Sequence, residues 1–301
     1  MYERPDRYID SLDISHRCPT LDRYCRNLTL LAAKGKLPKC YARGAEIEQI
    51  QIALHRHTKP NIMLTGDTGC GKTAIVEGLA QKLEHALYQR WIESDDCEPL
   101  LLLSPDLPMV YELSCGDILG GAKYRGDFEE RLQNIIHELE KVKREVILFI
   151  DEAHLLTTLG EAEGAVSDAN LLKPALARGE FNVIAATTDA EFREHLSKDK
   201  ALVRRFTRVD IKPIQEIYRG ECALSILNDY SEAFDIPYAK DVDKDFLMQI
   251  VLGPMSDWSF PCEFVDTIDQ MFAEAKFRKK TSLNREDFQK AVCSRTGCLV
   301  I

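Results

Sequence analysis

The chain has 301 residues, 45% of them hydrophobic and 29% charged, a balance that lets a large domain plus a small one bury real cores. A formal net charge of −10 argues against non-specific binding to a nucleic-acid backbone, which usually needs a basic face, and so against nucleic acid as a partner. Ten cysteines without a C-x-x-C pair, a polar start at Met1–Asp6 and apolar runs of strand length give no sign of a zinc site, a disulfide framework, a leader or a membrane span, so a cytoplasmic protein is expected.

Residues 1–40 read as an N-terminal arm or helix with an amphipathic stretch through Leu21, Leu28, Leu30 and Leu31. Residues 45–57 carry Ile47, Ile50, Ile52 and Leu54 at helical spacing. An alternation then begins. Asn61–Thr65 predicts a strand, Thr73–Leu87 a helix, Met109–Leu113 a second strand and Asp127–Arg144 an amphipathic helix with Phe128, Leu132, Ile135, Ile136, Leu139 and Val142 on one stripe. Val146–Ile150 predicts a third strand, Ser167–Arg178 a helix, Phe181–Ala186 a fourth strand and Thr207–Ile211 a fifth. Near-continuous apolar strands alternating with helices mean an α/β fold: a parallel five-stranded sheet flanked by helices. Beyond Pro213 only helices are expected, at Ile217–Ala233, Asp245–Leu252, Cys262–Arg278 and Arg285–Val292. The expected division is an arm at 1–40, a large α/β domain at 41–212 and a small helical lid at 213–301.

Between the first strand and its helix lies Gly66-Asp67-Thr68-Gly69-Cys70-Gly71-Lys72-Thr73, followed by Ala74. This fits G-x-x-x-x-G-K-[ST], the loop of P-loop NTPases. Its glycines turn backbone N–H groups onto a phosphate, Lys72 reaches the β/γ oxygens and the Thr73 hydroxyl ligates Mg²⁺. The following helix adds its positive N-terminal end. The third strand ends in Asp151-Glu152. Asp151 is placed to hold the Mg²⁺ shell and Glu152 to polarise an attacking water, so ATP and Mg²⁺ are the expected cofactors and hydrolysis the expected reaction.

Longer stretches resemble the first ATPase ring of the Clp-type protein unfoldases and disaggregases in the AAA+ superfamily. They are Gly71–Ala80, Gly121–Leu132, Val146–His154, Leu172–Glu180 and Lys198–Phe206. The resemblance implies a P-loop fold with a small helical lid, a homo-oligomeric, six-membered ring, and a protein substrate or partner. By position, Lys123, Tyr124, Arg125 and Gly126 match the substrate-gripping pore loop, and Gly160–Asp168 a second one. Arg204 and Arg205 match arginine fingers that complete a neighbouring subunit's site. Thr187 or Thr188 matches the polar sensor of the γ-phosphate. Cys40-Tyr41-Ala42-Arg43 stands where the family has V-I-G-R beside adenine, which puts Tyr41 at the base pocket. Phe260-Pro261-Cys262-Glu263 departs from the lid's L-P-D-K-like stretch.

No counterpart of an N-terminal substrate domain, a coiled-coil insertion, a second ring or a peptidase-docking loop is visible, so a single-ring form is expected. Cys298–Ile301 satisfies the C-a-a-X lipidation pattern without an upstream polybasic stretch and is read as a chance match. A ring-forming protein-remodelling motor is the leading expectation, with a nucleotide-switched scaffold in a larger complex as the alternative.

Overall fold

A computed structural model describes residues 4–56, 60–94, 103–114, 118, 125–155, 174–176, 181–256 and 259–297. Two compact units emerge. One comprises Met1–Cys40, Ala45–Gly66 and Lys72–Asp210; the other comprises Tyr41–Gly44, Asp67–Gly71 and Ile211–Ile301.

The first unit is α/β. Its strands are β1 (Cys25–Asn27), β2 (Asn61–Thr65), β3 (Met109–Leu113), β4 (Val146–Ile150), β5 (Asn182–Thr187) and β6 (Phe206–Asp210), in the sheet order β1-β3-β4-β5-β2-β6. The expected parallel core of five strands is present, since β3–β4, β4–β5, β5–β2 and β2–β6 all pair parallel. Every residue of β2, β3, β4 and β5 is buried. Helices on both faces impose this, and it explains why these strands read as apolar runs rather than alternating ones. The edge strand β6 keeps Arg208 and Asp210 exposed, as an edge that must not recruit further strands should.

The sheet is mixed because of a sixth strand. Residues read as an arm form α1 (Asp6–Ser11), α2 (Pro19–Tyr24), β1 and α3 (Leu28–Ala33), and β1 pairs antiparallel with β3. Side chains fasten this segment along its length. Arg4 pairs with Glu84 at 2.9 Å and lies 3.8 Å over the Tyr88 ring. Tyr8 is fully buried and meets Tyr88 edge-on at 4.9 Å. Glu138 accepts from the backbone N–H groups of Thr20 and Leu21, satisfying the free first turn of α2. Asn27 donates to Leu12 O and to the Tyr111 hydroxyl while accepting from Leu30 N.

The helices α4 (Gly44–Leu54), α5 (Lys72–Glu93) and α6 (Arg125–Val142) follow where periodicity predicts them. All six stripe residues of α6 are buried. At roughly 1.5–3 kcal/mol per fully buried apolar side chain, that stripe holds α6 in place more firmly than helix propensity could. The predicted helix Ser167–Arg178 lies outside the described residues except for the helical stretch 174–176.

The second unit is built from α7 (Glu216–Phe234), α8 (Lys244–Leu252), α9 (Cys262–Phe277) and α10 (Arg285–Thr296). Asp243 caps α8, and Asn284 with Asp287 forms a capping box on α10. Leu227, Leu247, Ile250, Phe272 and Phe288 are among its core residues.

Candidate nucleotide site

The register of the sheet gathers the predicted residues at one edge. Thr65, the last residue of β2, lies opposite Thr187 of β5 and Asp210 of β6, and Ile150 of β4 lies opposite Ala185. Gly66, Asp151 and Thr188 therefore leave the sheet together at the carboxyl ends of adjacent parallel strands, where ligands of open α/β sheets bind.

In the α/β unit, Lys72 begins α5 and its Nζ donates to Gly66 O at 3.0 Å. Thr73 Oγ1 donates to Asp151 Oδ2 at 2.6 Å. Ala74 is half-buried in the first turn. Two hard oxygens this close suit Mg²⁺, which takes one or two protein ligands and completes its shell with water and phosphate oxygens. Among the described residues no group of three or more His, Cys, Asp or Glu could hold a metal unaided. Half-buried Glu77, one turn along α5, has its carboxyl pushed up by burial, with the negative charges of Glu112 and Asp151 adding to this and Arg26 opposing it.

Glu152 is exposed and follows Asp151 in a turn, with its N–H donating to Asp151 Oδ1 at 2.9 Å. Its φ of +50° is left-handed, which costs a non-glycine residue about 1–2 kcal/mol. The turn is fixed to β5 by Ala153 N donating to Ala186 O at 2.9 Å. Past β5, Thr187 is buried and its hydroxyl lies 3.1 Å from Glu191 Oε2. Thr188 caps the turn Asp189–Glu191 in a capping box with Glu191. Burial acts to raise the Glu191 carboxyl, but hydrogen bonds from Thr188 and Thr187 outweigh it and hold it below the ordinary range. Arg204 and Arg205 are exposed at the end of the turn Lys200–Val203.

In the helical unit lie Asp67, Thr68, Gly69, Cys70 and Gly71. Gly69 and Gly71 have φ of +77° and +92°, a backbone that side-chain-bearing residues rarely adopt. Asp67 and Thr68 are exposed and Cys70 is buried. Arg43, only 4% exposed, donates to Cys70 O at 2.6 Å and to Lys212 O at 2.9 Å. Tyr41 donates its hydroxyl to Asp229 of α7, and burial followed by that carboxylate raises its phenol pKa.

Of the residues matched to a pore loop, Lys123, Tyr124 and the Arg125 side chain lie outside the described residues, as does Gly160–Asp168. Arg125 and Gly126 open α6, with Gly126 exposed. Three residues had no assigned role in the sequence reading. Arg43 stood inside a stretch used only for family likeness. Glu191 could have been found from the capping-box spacing Thr188-x-x-Glu191. His154, whose ring Nδ1 is 3.2 Å from Glu191 Oε2, gave no separate signal.

A strand, a glycine loop, a helix and an acidic strand end in this order define a P-loop nucleotide-binding protein. Residues 62–213 match the family described as ATPase family associated with various cellular activities (AAA), and the chain belongs to that family. The chain is 40% identical over 265 residues to an ATP-dependent Clp protease ATP-binding subunit ClpA homolog (CD4B, chloroplastic) of Solanum lycopersicum, across 87% of this chain and 27% of that protein. It is 39% identical to Chaperone protein ClpB of Chlamydia caviae, across 87% of this chain and 29% of that protein. Among solved structures, a closed state of Hsp104 with ATPγS and FITC casein superposes with a TM-score of 0.74 at 29% identity, covering 92% of this chain and 45% of that one. The S. cerevisiae Hsp104–ADP complex gives 0.73 at 29% identity, covering 93% and 46%. Over most of its length the chain is thus similar to the ATPase modules of Clp-type AAA+ proteins. It spans little more than a quarter of the length of the curated relatives and just under half of the solved chains.

Proposed function

We propose that this chain hydrolyses Mg²⁺-ATP as one subunit of a homo-oligomeric, six-membered ring and uses the cycle to remodel or unfold proteins. The observation that carries the reading is the Thr73–Asp151 contact, flanked by Lys72 and by an exposed Glu152 at the end of β4. Lys72 balances charge on the β and γ phosphates. Thr73 and Asp151 would hold Mg²⁺, which when bound offsets phosphate charge. Glu152 takes the proton of the attacking water. Thr188, first residue beyond β5 and less buried than Thr187, is the threonine we assign to a γ-phosphate oxygen, whereas Thr187 turns toward Glu191. Arg204 and Arg205, being exposed, are free to reach the next subunit's nucleotide and stabilise charge on the transferring phosphoryl group. Tyr124 would press on a substrate polypeptide, a role supported by sequence likeness alone. The relatives, a protease ATP-binding subunit and a chaperone, favour remodelling over a nucleotide-switched scaffold.

No helix among the described residues is long and apolar enough to cross a membrane, and a cytoplasmic location remains our reading of the composition. The test is Glu152→Gln, which should cut hydrolysis by about a hundredfold or more while ATP stays bound, together with Tyr124→Ala. The latter should retain hydrolysis and lose unfolding of a tagged fluorescent substrate. Retained unfolding in Tyr124→Ala would sink the threading reading; full turnover in Glu152→Gln would sink the assignment of the base.

A further inference from the structure

We propose that Glu191 is a positioning residue of the hydrolytic site, holding the Thr187–Thr188 pair and the turn that carries Glu152 in one fixed relation. The inference deepens the ATPase reading and rests on it. A helix cap needs only the reciprocal bonds with Thr188, and both are present: Glu191 Oε2 accepts from Thr188 N at 2.9 Å and Glu191 N donates to Thr188 Oγ1 at 3.2 Å. Capping does not account for what else converges on the same oxygen. The Thr187 hydroxyl lies 3.1 Å from Oε2, and Nδ1 of His154 lies 3.2 Å from it.

Both additional partners are sequestered. Thr187 is 2% exposed, and the His154 side chain is 13% exposed. Each belongs to a chain segment that ends at the nucleotide site. Thr187 closes β5, one residue before the hydroxyl assigned to the phosphate. His154 stands two residues after Glu152, in the turn already fastened by Ala153 N to Ala186 O. That turn carries a left-handed, non-glycine residue, and such a backbone persists only where its surroundings over-determine it. One carboxylate oxygen thus ties the segment that senses phosphate to the segment that activates water.

Glu191 touches neither water nor phosphate in this role. Its removal should act on turnover rather than on nucleotide affinity, because the base and the sensor would each sample more orientations in the transition state. The test uses the purified chain, with steady-state ATP hydrolysis, the Kd of a fluorescent ATP analogue and thermal unfolding measured side by side. Glu191→Ala should lower kcat on the order of tenfold or more while Kd changes less than about threefold. Glu191→Gln keeps an acceptor oxygen for Thr187 and Thr188 and should restore most of the rate. Thr187→Val leaves the capping box intact but removes the hydroxyl, so it should lower kcat severalfold at unchanged Kd even if Glu191→Ala folds poorly. Equal turnover in folded Glu191→Ala and Thr187→Val, beside an active parent, overturns the positioning role alone. A loss of kcat that only tracks the folded fraction overturns it too. A parent chain that binds but never hydrolyses ATP overturns the ATPase reading itself, and this inference with it.

Discussion

Gly78 shows how closely the helix behind the phosphate loop approaches its neighbours. A Cβ built there would sit 2.6 Å from Cys40 Cβ and 2.9 Å from Ile47 Cδ1. Replacing a mid-helix glycine by alanine ordinarily gains up to about 1 kcal/mol in propensity. Here the obstructing atom is a Cβ, which cannot swing away as the far end of a long side chain can, and overpacking of this kind costs about 1–3 kcal/mol. The clash should win. Gly78→Ala is expected to lower stability by about 1–2 kcal/mol in denaturant unfolding, and a stabilised variant would contradict the packing described. Most chemistry-bearing residues were legible at this scale because phosphate and magnesium restrict the choice: Lys72, Thr73 and the Asp151–Glu152 pair each have few chemical substitutes. Arg43 was not legible as a role. A guanidinium satisfied by two backbone carbonyls leaves no motif, since carbonyls exist at every position of every sequence.

At the scale of elements, β2 to β5 were readable because burial on both faces writes itself into continuous apolar runs, and α6 because its stripe repeats with the helical period. β1 was not. It is three residues long with an exposed arginine at its centre, and its partner β3 lies more than eighty residues away. Nothing local distinguishes it from a loop. Asn27 is the residue that fixes its end, through two donated bonds and one accepted bond. Asn27→Ala should therefore destabilise by about 2–4 kcal/mol, adding the loss of a helix cap to that of buried partners left unsatisfied. Asn27→Asp separates the two contributions: it retains the acceptor for Leu30 N but removes both donors, and should recover only the capping part. Chemical unfolding of the two variants checks this: equal stability of both would show that the cap contributes nothing, and an Asn27→Asp variant as stable as the parent would show that the donated bonds contribute nothing.

Among the described residues, buried hydrophobic cores lie around the sheet and, separately, among α7 to α10. Two-state unfolding is then not the default expectation. Calorimetry should give a calorimetric enthalpy larger than the van't Hoff value, whereas equality would mean that the cores melt as one. Nucleotide provides a second measurement. Mg²⁺-ADP at a hundred times its Kd should stabilise the folded chain by about 2.7 kcal/mol, and Lys72→Ala should abolish the shift. A shift of equal size in both proteins would place nucleotide binding elsewhere.

The antiparallel edge strand has a consequence for biosynthesis. Arg26 is made before its partner Glu112, which comes 86 residues later. At a translation rate of about 5–20 residues per second, the segment waits on the order of 4–17 s after leaving the peptidyl-transferase centre before a mate exists. During that interval its apolar residues, Tyr8, Leu12 and Leu21 among them, are open to holdase chaperones. The sheet is completed at this edge by a strand synthesised well before its partner, so in a nascent chain arrested before Met109 the residues Cys25–Asn27 should remain protease-sensitive however much of the rest has condensed.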